Sequence, residues 1–403
     1  MAGSLKGNML IAQSGGPSMV INESLVGAVM EAKKHREIKN IYGSLHGIKG
    51  VLEENLIDLR KENKATLDAV AKTPSSALGS VRKKPTEEEC GKIFAIMQKY
   101  DIRYFFYIGG NDSAETVHIV HEEAKKVNYD LHCFHIPKTI DNDLLENDHT
   151  PGFGSAAKFV ACALMGDNLD NRALKGVKID VIMGRHAGFL AASSALARIY
   201  PDDGPHLIYC PEHVFSMKQF LDDVKQVYDR LGRCVVVASE GISDEYGIAI
   251  ATKFNKETDS HGNVQLSGTG ALGDLLSHEI KTKLEISRVR ADTFGYLQRS
   301  FPGVISAVDA AEARAVGIEA VKEATAGHPE GSIVIRRRPS KKYGVFYERV
   351  PLQNVAKNTR HMPEDYISAA GNDVTEEFIE YARPLVGALP KIGRFKAVAV
   401  KKI

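Results

Sequence analysis

The sequence predicts an α/β protein built on mainly parallel sheets, and three observations predict it. Short apolar runs rich in Ile, Val and Phe alternate with longer stretches of helical periodicity. The runs are continuously hydrophobic, as strands covered on both faces are, and do not alternate with polar residues. Glycines gather just after several runs, where a parallel strand must turn into a helix. At 403 residues the chain exceeds the ~250–300 at which single cores stop growing, so it is expected to divide into two or three lobes.

In chain order, residues 9–12, 103–108, 131–136, 177–183, 207–209 and 234–238 read as buried strands. Residues 23–34, 114–126, 155–173, 186–200 and 217–231 read as helices from their Ala, Leu, Lys and Glu content, with Gly or Pro at several ends. Residues 253–270 are polar and read as an exposed turn or hairpin. Strand and helix signals resume over 273–284 and 289–297, and a long Ala-rich helix follows over 304–326. After Gly331, apolar and basic residues alternate as in an antiparallel hairpin with one wet face.

The 52 Lys+Arg balance 51 Asp+Glu to a net charge of +1, with 43% hydrophobic residues. That excludes disorder, a collagen-like repeat and a disulfide scaffold. It also supplies no global field for a nucleic acid or an anionic membrane, so positive charge must act locally. Cys90, Cys133, Cys162, Cys210 and Cys234 lie far apart with no metal-type spacing, as buried thiols in a reducing compartment would. With no signal-like N-terminus and no run near the ~20 apolar residues that span a bilayer, a cytoplasmic protein is expected.

Three consecutive strand ends look suited to phosphate, since free N–H groups and the helix dipole favour anions there. Ser14-Gly15-Gly16-Pro17-Ser18 combines close backbone approach with hydroxyl donors, and equally suits a tight turn. Gly109-Gly110-Asn111-Asp112-Ser113 offers oxygen ligands for Mg²⁺ and a Ser at an N-cap position, and equally suits plain helix capping. Pro137-Lys138-Thr139-Ile140-Asp141-Asn142-Asp143 sets two carboxylates beside a Lys. One can take the proton of an attacking hydroxyl while the cation offsets phosphoryl charge. Further on, Met183-Gly184-Arg185, Glu240-Gly241 and the run from Arg290 to Arg299 add Arg, Glu and Tyr suited to an anionic sugar.

Taken in order, SGG at 14–16, GGNDS at 109–113, PKTIDND at 137–143, MGR at 183–185, Glu240 and RADTFGYLQR at 290–299 resemble the phosphofructokinase family. The resemblance implies two similar Rossmann-like lobes with the active site in the cleft between them. A donor-side lobe would span 1–150 and a sugar-phosphate lobe 151–330, with the chain crossing between lobes. A C-terminal hairpin and helix, 331–403, would pack back on both. It further implies phosphorylation of the 1-hydroxyl of fructose 6-phosphate with Mg²⁺, in a homodimer or homotetramer. Asp141 would be the general base, supported by Thr139 and Asp143. Thr139, Ile140, Asp141, Met183, Gly184, Arg185, Glu240, Tyr296, Leu297, Gln298 and Arg299 would line the sugar-phosphate site. Arg290 would reach a neighbouring subunit's sugar phosphate, and Gly15 would contact the donor.

Two positions speak to the donor. ATP-using members of the family generally have Gly where this chain has Asp112 and Lys138. Asp112 would put bulk and negative charge where a nucleotide's α-phosphate lies, whereas pyrophosphate ends sooner. Lys138 would supply positive charge to the phosphates. Both match the pyrophosphate-dependent branch, whose reaction is reversible and serves glycolysis and gluconeogenesis. The chain departs from the family at Asn111, where an Asp metal ligand is common; an amide oxygen can still hold Mg²⁺ without adding charge. It departs again at Gly176, between Lys175 and Lys178, where ATP-using relatives carry an Arg that crosses to the neighbouring site. An ATP-dependent enzyme of the same fold and a non-catalytic sugar-phosphate sensor are the alternative readings, and sedoheptulose 7-phosphate is an open alternative acceptor.

Overall fold

The structure is a computed structural model that describes residues 5–253, 270–356 and 359–400. Among the described residues eleven strands form two sheets: β1 (Gly7–Gln13), β2 (Ile38–Ser44), β3 (Leu56–Asp58), β4 (Ile102–Gly109), β5 (His132–Pro137), β6 (Val177–Ile182), β7 (Leu207–Tyr209), β8 (Cys234–Ser239), β9 (Val289–Thr293), β10 (Glu330–Arg337) and β11 (Val345–Val350). The first sheet runs β11-β10-β5-β4-β1-β2-β3 and the second β7-β8-β6-β9. All pairings are parallel except β10 with β11 and β2 with β3, which close the edges of the first sheet.

Continuous apolar strands follow from burial on both faces. In β4, Tyr104, Phe106 and Ile108 pack under the helices Ile21–Ala32 and Ala307–Thr325, while Phe105 and Tyr107 pack on the other side with Phe94, Met97 and Val120. In the second sheet, Ile179 and Val181 face one cluster and Ile182 the other. The expected strands all form. The expected hairpin after Gly331 is the β10–β11 pair, and a C-terminal helix, Glu376–Val386, follows it.

Some elements differ from the expectation. The stretch 186–200 is not one helix: Phe189–Ser193 gives way to a 3₁₀ turn, Ser194–Ala197. Ser193 and Ser194 donate to the carbonyls of Leu190 and Ala191, a local bonding that competes with the helical ladder. The strands β2 and β3 and the helices Lys64–Ala71 and Glu87–Lys99 escaped notice because none is a long apolar run. The polar stretch expected as a turn, 253–270, lies outside the described residues apart from its two ends. The chain also returns to the first lobe before residue 330. Helix Ala307–Thr325 crosses Ile21–Ala32 so closely that a Cβ on Gly27 would stand 2.3 Å from the Arg314 carbonyl oxygen. Among the described residues, no helix is long and apolar enough to cross a membrane.

Candidate functional site

The carboxyl ends of β1, β4 and β5 lie side by side, so their three loops meet. Ser14 donates its N–H to the Ile108 carbonyl, and its hydroxyl pairs with that of Ser113 at 2.5 Å. Gly15 adopts the left-handed region at φ 72°, which favours glycine. The helix Asn111–Lys126 begins at the second loop with Gly110 as its N-cap. Ser113, expected at the cap, lies instead in the first turn, where its hydroxyl is taken by Ser14. Asn111 Oδ1 is buried with no hydrogen-bond partner, and Asp112 is exposed.

The third loop carries the titrating groups. Lys138 is 4% exposed and donates Nζ to the Gly16 carbonyl at 2.5 Å. Thr139 Oγ1 accepts from the Asp141 N–H at 3.1 Å. Between the two carboxylates, Asn142 takes φ 61°, a conformation Asn tolerates better than most residues. Its Oδ1 accepts from the Thr150 N–H at 3.0 Å and its Nδ2 donates to the Tyr381 hydroxyl at 2.7 Å, so the turn is fixed from both sides.

The second sheet supplies the opposing wall. Gln298, fully buried, accepts from the Met183 N–H at 3.3 Å and donates to the Gly295 carbonyl, which joins the MGR loop to the segment carrying Arg299. Ser239 donates to the Gly184 carbonyl at 2.5 Å, and Glu240, 6% exposed, hangs its N–H on the Ile182 carbonyl. The Arg299 guanidinium lies over the Tyr296 ring at 4.5 Å. Its Nη1 is 2.9 Å from where a Cβ on Gly16 would stand, so Arg299 bridges from the second lobe to the first loop.

Charges of both signs are thus concentrated at low solvent access. Burial raises the Asp141 carboxyl well above the usual carboxylate range, the Asp143 and Glu240 carboxylates add to the rise, and Lys138 and Arg299 oppose it. Burial raises Asp143 as well, with the Thr139 hydroxyl the main opposing influence. Lys138 is pulled down to about 8, first by burial and then by Arg299, with Arg82 in the same direction. Such an arrangement suits proton removal from a hydroxyl beside an accumulating phosphoryl charge.

The structure therefore brings together Gly15, Lys138, Thr139, Asp141, Asp143, Met183, Glu240, Gln298 and Arg299. Ile140 is buried behind the loop, and Arg185 follows Gly184 at partial exposure. Arg290 points outward from β9 with Nη1 on its own Val289 carbonyl, and Leu297 is 63% exposed. Asp112 does not share its ion pair with Lys138; it meets Lys84 at 3.0 Å. Lys178, beside the family's missing Arg, pairs with Asp167, Asp180 and Asp292.

Two residues were missed from sequence. Arg82, whose Nη2 is 3.9 Å from the Cβ position of Gly16, is a third cation of the cluster. Lys84 binds Asp112. The run Arg82-Lys83-Lys84 was the available signal, but a short basic run reads first as a solvated surface.

Fold and site together define a sugar-phosphate phosphotransferase of the phosphofructokinase class, and the Phosphofructokinase family matches residues 8–324, so the chain belongs to that family. A curated relative from Rhodospirillum rubrum, a pyrophosphate–fructose 6-phosphate 1-phosphotransferase, is 55% identical over 99% of both chains. One of the same name from Xanthomonas campestris is 40% identical over 98% of both. Among solved structures, a pyrophosphate-dependent phosphofructokinase from Marinobacter aquaeolei superposes with a TM-score of 0.85 at 34% identity, covering 98% of both chains.

Proposed function

We propose that this protein transfers a phosphoryl group reversibly between pyrophosphate and the 1-hydroxyl of fructose 6-phosphate. The observation that carries the reading is the cation cluster of Lys138, Arg299 and Arg82 around Gly16, set against the Asp141–Asp143 pair on the same loop as Lys138. The names of the relatives support it.

The sugar 1-hydroxyl oxygen attacks the terminal phosphorus of pyrophosphate, the bridging P–O bond breaks and inorganic phosphate leaves. The hydroxyl proton passes to Asp141, whose raised affinity for a proton makes it a better acceptor than an ordinary carboxylate. Lys138 and Arg82 face the charge on the transferring group and the leaving phosphate. Glu240 and Arg185 take sugar hydroxyls, while Arg299, over Tyr296, takes the sugar's phosphate. Because a phosphoanhydride of this kind and phosphate esters have similar transfer energies, the reaction serves glycolysis and gluconeogenesis.

Mg²⁺ fits the second loop, where Asn111 Oδ1 is buried without a partner, an oxygen ligand of the type a hard cation takes. When bound, the ion offsets charge on the donor phosphates. Arg290, exposed on β9, reaches the sugar phosphate of a second subunit in a homodimer or homotetramer. We place the enzyme in the cytoplasm, in keeping with its five free cysteines.

A steady-state donor panel at fixed Mg²⁺ and fructose 6-phosphate tests the function. Rapid fructose 1,6-bisphosphate formation with pyrophosphate and little with ATP is the expected result. Equal turnover with ATP would end the donor assignment.

A further inference from the structure

Between the helices Lys64–Ala71 and Glu87–Lys99 the chain has no regular structure, yet this segment touches the donor end of the site repeatedly. The Val81 carbonyl accepts from the Gly15 N–H at 3.1 Å, and Ser80 Oγ donates to the Gly15 carbonyl at 2.5 Å. Arg82 then turns inward to Gly16. Two residues later Lys84 reaches the neighbouring loop, with Nζ 3.0 Å from Asp112 Oδ1 and 2.6 Å from Glu115 Oε2. The three side chains differ in exposure: Asp112 is 62% exposed, Lys84 42% and Glu115 only 15%. Glu115 is the fixed end of this chain of charges and Asp112 the loose one.

An exposed Asp in the first turn of a helix samples several rotamers, in only some of which its carboxylate stands over the donor site. Lys84 removes that freedom, and it cancels part of the negative charge that pyrophosphate would otherwise meet. We propose that Lys84 is a positioning residue for donor choice: bridging Asp112 to Glu115, it holds the Asp112 carboxylate where a nucleotide's additional phosphate would pass. The inference rests on the reading of pyrophosphate as donor and of Asp112 as the bar to nucleotides.

Lys84 acts through Asp112, so its effect must vanish when Asp112 is gone. The test is the ratio of kcat/KM for pyrophosphate to that for ATP in wild type, Lys84→Met, Asp112→Gly and the double variant, with Lys84→Arg as the conservative control. Exposed ion pairs are weak, so Lys84→Met lowers the ratio by roughly two- to fivefold, not by hundreds. Lys84→Arg keeps the ratio, and in the Asp112→Gly background Lys84→Met changes it no further. An unchanged ratio in Lys84→Met overturns the proposal. So does an equal loss in both backgrounds, which would mean that Lys84 meets the phosphates itself. A wild-type enzyme that prefers ATP overturns the donor reading on its own, before any variant is compared.

Discussion

Asn142 and Tyr381 are joined by a hydrogen bond of 2.7 Å across 239 residues of sequence, and it ties the C-terminal helix to the turn between the Asp141 and Asp143 carboxylates. The same tyrosine hydroxyl donates to the Asp148 carbonyl at 2.7 Å, so one ring braces both ends of the loop. Tyr381→Phe keeps the packing against Phe153, Phe189 and Phe378 and removes only the hydroxyl. The Asn142 amide is buried and loses its acceptor, which costs about 1–3 kcal/mol. The expected outcome is a lower melting temperature together with a kcat reduced more than either substrate's KM, because the loss falls on carboxylate placement.

The pH dependence follows from Asp141, Asp143 and Lys138. In the proposed reaction Asp141 works as a carboxylate, and burial with Asp143 and Glu240 raises its proton affinity, so activity is expected above that raised pKa and lost as pH falls through it. The acid limb of kcat/KM therefore lies well above the ordinary carboxylate range. In the same proposed reaction Lys138 works as an ammonium, pulled down to about 8, so the free enzyme is expected to lose donor recognition as pH rises through that value. A bell-shaped profile is expected. Asp143→Asn removes a neighbouring negative charge and moves the acid limb to lower pH; an acid limb that stays in place would separate Asp143 from the titration.

Much of the first sheet and the three loops beyond it could be read from sequence. Strands β1, β4 and β5 are each one apolar run, and the loop after each carries its glycines or carboxylates within a few residues of the strand end. The segment around Arg82 and Lys84 could not, because it has no periodicity and is placed by bonds to distant residues, such as that from the Gly15 N–H to Val81. Tyr381 was hidden although its helix is regular, because only the fold brings that helix to the Asn142 turn. The stretch 186–200 misled because its composition favours helix, while the Ser193 and Ser194 hydroxyls turn back on their own backbone. The chain's return to the first lobe before 330 was equally invisible, since nothing local in 307–325 tells which sheet that helix will cover.

Asp141→Asn separates catalysis from binding. The amide is nearly isosteric, keeps the N–H that the Thr139 hydroxyl accepts, and cannot take a proton. General-base contributions of about 10²–10⁴-fold set the expected loss in kcat. Fructose 6-phosphate affinity, measured by calorimetry, stays within a few-fold of wild type. Activity that survives the change would remove Asp141 from the proton transfer and return the sensor reading to consideration.

Asp112 and Lys138 are expected to divide the donor problem between them. Asp112 lies exposed at the start of a helix and is held by Lys84, whereas Lys138 lies buried with its ammonium on the Gly16 carbonyl. Asp112→Gly opens room without touching the cation cluster, so kcat/KM for ATP rises while that for pyrophosphate changes less. Lys138→Gly removes a buried cation from beside the phosphates, and kcat/KM for pyrophosphate falls by about 10²–10³-fold, the scale of losing one electrostatic stabiliser of the transition state. The alkaline limb near pH 8 disappears with it, because that limb is the titration of the Lys138 ammonium. Measuring both donors over a pH series in the two single variants and the double variant checks the division. A Lys138→Gly enzyme with full pyrophosphate activity would show that Arg82 carries the phosphate charge without it.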